Sequence, residues 1–432
     1  MDERHILELN SNLLKPENVA WINKIGSEYF SYVLRLYEKD QLSEKDQIEL
    51  LIIISDLLPY LSGSCWEEIG YEICKKIKYQ LEHDGVNPWM LGMFYQLGKE
   101  TFAAKLYHAR TGHLEKFSNA LFQELLREGA KKARQYVKRE SNNAYAKEFD
   151  IICGISGILS YCLDYEVQGF ERAYLADMAK YLEYMTEDYA YKNGQLIRFH
   201  IPVDHLNTDV EMKMFPTGYI NLSLSHGMMG PYIALGRARR EKVYKADDAI
   251  YKLRRIYQHF SFYHNGVVHW PSYISPDNYQ TGMLPERKAL MPFQRSSWCY
   301  GNISIVRSLQ RIAAFDGNKA EEKIRIDQLC DIIKGPVENY NLTLPCLCHG
   351  YASVLAVGGY LYDDCKDVEL MKALERLVMI MKKLFNGIEM DQIISEHFDG
   401  SIAILQGMGG TILALSKLMA DDLEFGKLLA ID

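Results

Sequence analysis

Long stretches of the chain carry apolar residues at the spacing of an amphipathic helix. Three of them read FSNALFQELLREGAKKARQYV, EEKIRIDQLCDIIKG and VELMKALERLVMIMKKLF, with apolar residues near i, i+3, i+4 and i+7. This spacing places the apolar side chains on one face of a helix and the charged ones on the other. The pattern therefore predicts surface helices that pack one face against a core.

A second, largely apolar pattern recurs between these stretches. A leading residue is followed by Gly, two further residues, a small residue and an apolar helical run. The copies are CGISGILSYCL from Cys153, HGMMGPYIAL from His226, YGNISIVRSL from Tyr300, HGYASVLAVGGYL from His349 and QGMGGTILAL from Gln406, with a degenerate copy, LGMFYQLG, from Leu91. We call these copies the glycine repeats. Their leading glycines lie 49–74 residues apart, which is long enough for one helical hairpin per interval.

The two patterns together predict an all-α fold. A glycine at a helix start lets neighbouring backbones approach closely, and a small residue three positions later lies on the same helix face. Repeats arranged in a ring would place apolar inner helices side by side, with amphipathic helices outside them. We expect one such domain over residues 1–432. Residues 190–222 contain β-rich runs and a Pro-Thr-Gly turn signal, and we predict a small strand-containing insertion there.

Composition narrows the class of protein. The 432 residues are 48% hydrophobic and 25% charged, which is typical of a folded globular chain. The formal net charge of −8 disfavours a nucleic-acid partner. Asp2 and Glu3 stand where a secretory signal needs basic residues, and no run reaches the ~18–20 apolar residues of a membrane span. We therefore expect a cytoplasmic protein.

Three potential soft-metal ligands occupy related places in the glycine repeats. Cys299 lies two positions before one leading glycine, and Cys348 and His349 directly precede the next. Two sulfurs and one imidazole match a catalytic zinc site, which keeps a fourth position for water or substrate. The repeat register predicts that the three converge at one end of the ring, with Cys346 as a rival ligand. The nine cysteines are an odd number without compact spacing, which indicates thiols rather than disulfides.

Four further residues near the leading glycines are candidates for acid–base and electrostatic roles. His226 is either a capping or core histidine, or a general acid/base beside the metal. Asp150 is a helix N-cap, a carboxylate that orients His226, or both. Arg295 is either a surface charge or the cation that stabilises a developing negative oxygen. Tyr300 is either a packed aromatic residue or a hydroxyl donor.

Other motifs are set aside or excluded. His259, His264 and His269 recur five apart, without the i, i+4 spacing of a helical metal pair, and we interpret HFSFYHNGVVHW as a surface or loop cluster. The chain contains no P-loop, dinucleotide-binding fingerprint or GxSxG elbow.

The motifs SHGMMG, WCYG, CHG and QGMGG, in this order and within glycine repeats, resemble the lanthionine synthetase C family. These LanC-like cyclases build thioether rings in lantibiotic peptides. The resemblance runs from about residue 90 to the C-terminus, and WCYG with CHG is its specific part. It implies an (α/α) toroid of inner and outer helices with a small insertion. Carried over by position, the zinc ligands would be Cys299, Cys348 and His349, and the other active-site residues would be Asp150, His226, Arg295 and Tyr300.

Two departures from the family pattern concern helix packing. Asn302-Ile303-Ser304 stands where the family commonly has x-Pro-Gly, and Ser353 replaces a glycine after CHG. We expect these changes to affect the packing of helices more than the chemistry of the site.

The resemblance implies a zinc-dependent cyclase that adds peptide cysteine thiolates to dehydroalanine or dehydrobutyrine. A free thiol with a pKa near ~8.5 is only about 3% ionised at pH 7, and zinc would remove this limit. We expect His226 to protonate the α-carbon, Arg295 and Tyr300 to stabilise the enolate oxygen, and Asp150 to fix the imidazole.

The implied partners are a dehydrated lantibiotic precursor peptide, a separate dehydratase and a membrane exporter complex that would bring the protein to the membrane periphery. The dehydratase is expected because the chain lacks the extra N-terminal residues of a bifunctional synthetase. One alternative stays open: a LanC-like zinc protein that binds glutathione or a regulatory partner without cyclising peptides. Other α/α toroids fit less well, since a zinc prenyltransferase needs Asp, Cys and His ligands and a glycoside hydrolase a carboxylate pair.

Overall fold

The computed structural model describes residues 7–63, 65–87, 90–139, 144–206, 208–286 and 295–432, and this part of the chain is mostly helical. Its α-helices are Pro16–Glu38, Glu44–Leu57, Cys65–Asp84, Gln96–Thr111, Glu115–Lys138, Ala146–Phe149, Ile155–Cys162, Arg172–Tyr184, Asp209–Met214, Met229–Arg240, Asp247–His259, Pro276–Thr281, Asn302–Phe315, Lys319–Lys334, Tyr351–Cys365, Val368–Leu384, Met390–Phe398, Met408–Lys417 and Phe425–Leu429. Within these described residues, no helix has both the length and the apolar character needed to cross a membrane.

Each of the five clear glycine repeats begins a helix that is buried over most of its length. These inner helices are Ile155–Cys162, Met229–Arg240, Asn302–Phe315, Tyr351–Cys365 and Met408–Lys417. A Cβ atom on any of the leading glycines would lie 2.7 Å or less from the backbone nitrogen of the residue four positions earlier. The glycines at 154, 227, 301, 350 and 407 are thus required by a close backbone approach in the loop before each helix.

The small residue three positions after the leading glycine is glycine in three of the clear repeats and serine in the other two. A Cβ on Gly157 would lie 2.1 Å from the Ile151 carbonyl oxygen, so that no side chain fits there. In the two repeats that carry serine instead, the hydroxyls of Ser304 and Ser353 donate to the carbonyl of their own leading glycine at 3.0 and 2.6 Å. The departures from the family pattern are therefore accommodated by a local hydrogen bond.

The described chain forms two compact units. The first comprises Met1–Val86, Lys99–Leu121 and Cys330–Asp432. In it the inner helices Tyr351–Cys365 and Met408–Lys417 pack against each other, and Glu44–Leu57 packs on the second of them.

A buried ion pair stabilises this first unit. Lys99 and Glu49 are 3.0 Å apart, with side chains 3% and 6% exposed. The second carboxylate oxygen of Glu49 accepts a hydrogen bond from the Ile404 N–H at 3.2 Å. Glu49 thereby also holds the loop that precedes Gly407. Loss of either contact would leave a buried polar group unpaired, which is costly.

The second unit comprises Asn87–Gly98 and Phe122–Leu329. Its inner helix Met229–Arg240 packs between Ile155–Cys162 and Asn302–Phe315, and the amphipathic helices Arg172–Tyr184 and Asp247–His259 also contact it. The expectation of a single domain over residues 1–432 stays a prediction.

Short antiparallel strands belong to the second unit. Asp188–Tyr191 pairs with Gly194–Ile197, and Tyr219–Asn221 pairs with both His200–Ile201 and Tyr273–Ile274. The predicted strand-containing segment at 190–222 therefore receives one strand from further along the chain.

The interpretation of the histidine-rich segment as a surface or loop cluster holds for His259, which is exposed, and His264, which is half-buried, but it is wrong for His269. Phe262–His264 and Val267–His269 form a hairpin, and His269 is only 6% exposed. Asn265 and Gly266, with φ of 49° and 79°, form the tight turn that joins the strands. Asn-Gly between short apolar runs is a strong hairpin signal, because both turn positions need positive φ.

Candidate metal centre and adjoining cavity

The loops that precede the inner helices are joined by backbone hydrogen bonds. In the second unit, the Ile151 N–H donates to the Ser225 carbonyl at 3.1 Å, and the Ser225 N–H and hydroxyl donate to the Cys299 carbonyl at 3.5 and 3.0 Å. In the first unit, the Cys348 N–H donates to the Leu405 carbonyl at 2.7 Å. Equivalent positions of successive repeats are therefore adjacent, which is the register that the sequence predicts.

The ligand atoms of Cys299, Cys348 and His349 lie within 4.8 Å of one another. In a tetrahedral zinc site with Zn–S near 2.3 Å and Zn–N near 2.0 Å, neighbouring ligand atoms are about 3.5–3.8 Å apart. This soft donor set fits zinc after small side-chain movements, so the cluster could bind a metal ion. Cys346 is not a member of the cluster found among the described residues, and its side chain is buried at 2% exposure.

The buried Ser297 hydroxyl is a polar neighbour of the Cys299 sulfur. Cys299 is 7% exposed, and the Ser297 hydroxyl lies 3.9 Å from its Sγ atom, within reach of a weak hydrogen bond. A hydroxyl that donates to a ligating sulfur fixes its orientation and stabilises its thiolate form.

Asp150 holds two different groups with its two carboxylate oxygens. One oxygen accepts the backbone N–H groups of Cys153 and Gly154 at 2.6 and 2.9 Å, at the start of the helix Ile155–Cys162. The other oxygen lies 2.7 Å from Nδ1 of His226. Because a carboxylate only accepts, Nδ1 carries the proton, and Nε2 is left to exchange a proton with a ligand. The capping and orienting roles considered for Asp150 are both present as contacts.

The surroundings of His226 favour its charged form. Burial lowers its pKa, but the hydrogen bond to Asp150, the Asp150 charge and the nearby Cys299 sulfur raise the pKa by more, so that the net pKa is raised above its usual value. The side chain is 39% exposed, and a ligand can therefore reach it.

Tyr300 adds a neutral hydroxyl to the same region. Burial, followed by the charge of Tyr273 and a hydrogen bond with it, raises the pKa of Tyr300 well above its usual value. Its ring lies 6.1 Å from that of His226 and 5.6 Å from that of Tyr273. Tyr300 therefore stays protonated at neutral pH, and its single O–H can donate to a ligand oxygen in place of Tyr273.

These residues adjoin a cavity of about 590 Å³ within the second unit. Asp150, His226 and Tyr300 line it. Arg295 is exposed, and its carbonyl accepts the Asn302 N–H at 3.2 Å. It is not among the described residues that line the cavity. The structure thus brings three of the four predicted acid–base and electrostatic residues together and leaves Arg295 outside.

The sequence analysis missed two residues of this cavity, Tyr95 and Cys153. The Tyr95 hydroxyl forms a hydrogen bond with the Cys153 sulfur, and both line the cavity. Cys153 heads the first clear glycine repeat, in the position that His226 and His349 occupy in theirs, and this register was the available signal. Tyr95 lies in the degenerate repeat and carried no comparable signal.

The model of the family described as lanthionine synthetase C-like protein matches residues 57–429, and the chain therefore belongs to this family. Nisin biosynthesis protein NisC of Lactococcus lactis subsp. lactis is 24% identical over 341 residues, which cover 76% of this chain and 74% of that protein. The structure of nisin cyclase matches with a TM-score of 0.78 at 18% identity, covering 94% of this chain and 98% of that chain. The predicted fold, an α/α toroid with a few small sheets, is thereby confirmed.

Proposed function

We propose that the protein is a zinc-dependent lanthionine cyclase that closes thioether rings in a dehydrated lantibiotic precursor peptide. The observation that carries the proposal is the Asp150–His226 hydrogen bond in a cavity beside Cys299. Addition of a thiol to an electrophilic double bond needs a thiolate and a proton donor for the carbon that becomes negative. A soft-metal ligand next to an oriented imidazole supplies both requirements.

Cys299, Cys348 and His349 would hold the zinc ion. When bound, zinc lowers the pKa of a coordinated thiol, so that the sulfur is present as a thiolate at neutral pH. The peptide sulfur then forms a bond to the β-carbon of dehydroalanine or dehydrobutyrine, and the electrons of the carbon–carbon double bond move onto the adjacent carbonyl oxygen as an enolate.

His226 would complete the reaction. Its Nε2 delivers a proton to the α-carbon, the carbonyl re-forms, and the proton lost by the cysteine thiol restores the imidazolium. The net change is an isomerisation that needs no further reactant. Asp150 acts as a positioning residue through His226, and the Tyr300 hydroxyl donates to the enolate oxygen. Arg295 is assigned the same task from the family resemblance, and it would have to turn towards the cavity from its exposed position.

Metal analysis and ring formation test the proposal separately. We expect about one zinc per chain, lost in Cys299→Ala and retained in Cys346→Ala, which removes a buried thiol that is outside the ligand cluster. Zinc-loaded protein should convert dehydrated lantibiotic precursors, the nisin precursor among them, into products that resist thiol alkylation. Because cyclisation leaves the mass unchanged, alkylation followed by mass spectrometry is the appropriate measurement.

Three outcomes separate the proposal from its alternative. Absence of zinc from carefully purified protein would remove the metal part of the proposal. Cyclisation that proceeds at the normal rate and stereochemistry in His226→Ala would remove the acid–base part. A cobalt-substituted protein that gains a sulfur-to-cobalt absorption band with glutathione, but leaves every precursor thiol free, would instead support the thiol-binding alternative.

The partners and location follow from the family resemblance. We propose that a separate dehydratase prepares the precursor, and that an exporter complex brings the cytoplasmic cyclase to the membrane periphery. Co-purification with an encoded dehydratase would test the first of these assignments.

A further inference from the structure

Two cysteines outside the metal-ligand cluster lie together. Cys330 belongs to the helix Lys319–Lys334, and Cys365 is the last residue of the helix Tyr351–Cys365. Both are free thiols, and their side chains are hydrogen-bonded to each other. They are 35 positions apart in sequence, so the contact is made by the packing of two helix ends.

Independent contacts hold these two helix ends together. Lys334, one turn after Cys330, forms an ion pair with Asp367, two residues after Cys365. The other carboxylate oxygen of Asp367 caps the following helix by accepting the Glu369 N–H at 2.9 Å. The proximity of the two thiols is therefore supported by an ion pair and a helix cap that do not involve sulfur.

The two thiols differ in access and in acidity. Cys365 is partly exposed, whereas Cys330 is buried at 6% exposure. The hydrogen bond from Cys330, opposed by burial and assisted by the Asp367 N–H, lowers the pKa of Cys365 below its usual value. A larger fraction of Cys365 is then a thiolate at neutral pH than for an ordinary thiol, and the thiolate is the reactive form. The neighbouring Cys330 keeps its proton, because the same interaction raises its pKa.

We propose that Cys330 and Cys365 form a redox-active pair that oxidises to a disulfide in the presence of a low-molecular-weight disulfide such as oxidised glutathione. The Cys365 thiolate attacks one sulfur of the small disulfide and expels a thiolate, which gives a mixed disulfide on Cys365. The Cys330 thiol loses its proton to the solvent and attacks Cys365 Sγ, which expels the second small thiolate. Two protein thiols are oxidised by two electrons, and one small disulfide is reduced to two thiols.

Exposure of the reduced, zinc-loaded full chain to defined ratios of oxidised and reduced glutathione tests this assignment. After quenching by alkylation and proteolysis, mass spectrometry should find one cross-linked peptide pair that joins Cys330 to Cys365. Cys330→Ser should trap glutathione on Cys365, because the second thiol is missing, and Cys365→Ser should give neither product. Cys74→Ser is the matched control, since this buried single thiol should leave the cross-link unchanged.

A measurement on the unmodified chain keeps the test independent of the variants. At pH 7, Cys365 should react with an alkylating agent faster than a thiol of ordinary pKa and equal exposure, because the larger thiolate fraction outweighs its lower nucleophilicity. Absence of the cross-link under fully oxidising conditions would overturn the proposal. The same follows if Cys330→Ser accumulates no adduct, or if glutathione distributes over all cysteines according to their exposure.

Discussion

Replacing Asp150 by Asn separates its two contacts. The amide oxygen of Asn can still accept the Cys153 and Gly154 N–H groups, so that the helix cap is retained. The amide nitrogen then faces Nδ1 of His226, where it can only donate, and the 2.7 Å bond to a carboxylate is lost. A hydrogen bond to a charged group contributes about 1.5–3 kcal/mol, and the partial exposure of His226 favours the lower end. We therefore expect the pKa of His226 to fall and cyclisation at neutral pH to slow by at most about tenfold, the factor that about 1.4 kcal/mol represents.

The pH profile is the decisive measurement for this variant. A general acid is active below its pKa, so the alkaline decline in the rate of ring formation should begin at a lower pH in Asp150→Asn. Zinc content and thermal midpoint should stay close to those of the unmodified protein. Asp150→Ala, which also removes the cap, should lose about 0.5–2 kcal/mol of stability. A normal rate with an unshifted profile in Asp150→Asn would refute the assignment of Asp150 as the residue that positions His226.

Three further predictions concern metal retention and the stability of the fold. Gly301→Ala should lose zinc, because its Cβ would lie 2.0 Å from the backbone of the loop that carries a ligand. Gly236→Ala is the control and should keep zinc, since its Cβ would meet no atom closer than 3.4 Å. Equal metal contents in the two variants would contradict this prediction. Lys99→Met should lower the free energy of unfolding, measured with denaturant, by about 3–5 kcal/mol, because it leaves Glu49 buried and unpaired. Adding Glu49→Gln should recover part of this loss. A loss below about 1 kcal/mol would show that the ion pair contributes little to stability. Burial raises the pKa of Glu100 to about 7, so the folded chain binds a proton more tightly than the unfolded chain, and stability should fall as pH rises from about 4.5 to 7. Glu100→Gln should abolish this fall and raise the free energy of unfolding by up to about 3 kcal/mol above pH 7. A variant whose stability has the same pH dependence as that of the unmodified protein would contradict the assignment.

The repeated part of the molecule was predictable because one local pattern recurs. Each leading glycine meets the same steric requirement, so the inner helices and the adjacency of Cys299, Cys348 and His349 followed from register alone. The contact between Asp150 and His226 was predictable for the same reason, since both lie beside leading glycines of successive clear repeats.

Contacts made only once in the chain were not predictable. Tyr273 reaches Tyr300 from a strand that joins the insertion sheet from a distant segment. Cys330 meets Cys365 where two helices end, and neither residue belongs to a recurring pattern. No local spacing specifies such pairs, because each depends on how separate elements pack. The hairpin turn at Asn265-Gly266 is different, because the Asn-Gly pair between short apolar runs is a local signal that the sequence carries.

The hydrogen bonds between successive loops bear on how this chain can change in length. Within each unit the leading glycines are 57–74 residues apart, yet the loops before them meet through backbone hydrogen bonds. Residues added within an interval need not alter the position of a ligand or an acid–base group, because each loop takes its place from its neighbouring loop and not from the length of the intervening hairpin. Insertions such as the small sheets can therefore be gained, lost or redesigned while the chemistry at the loop ends is kept.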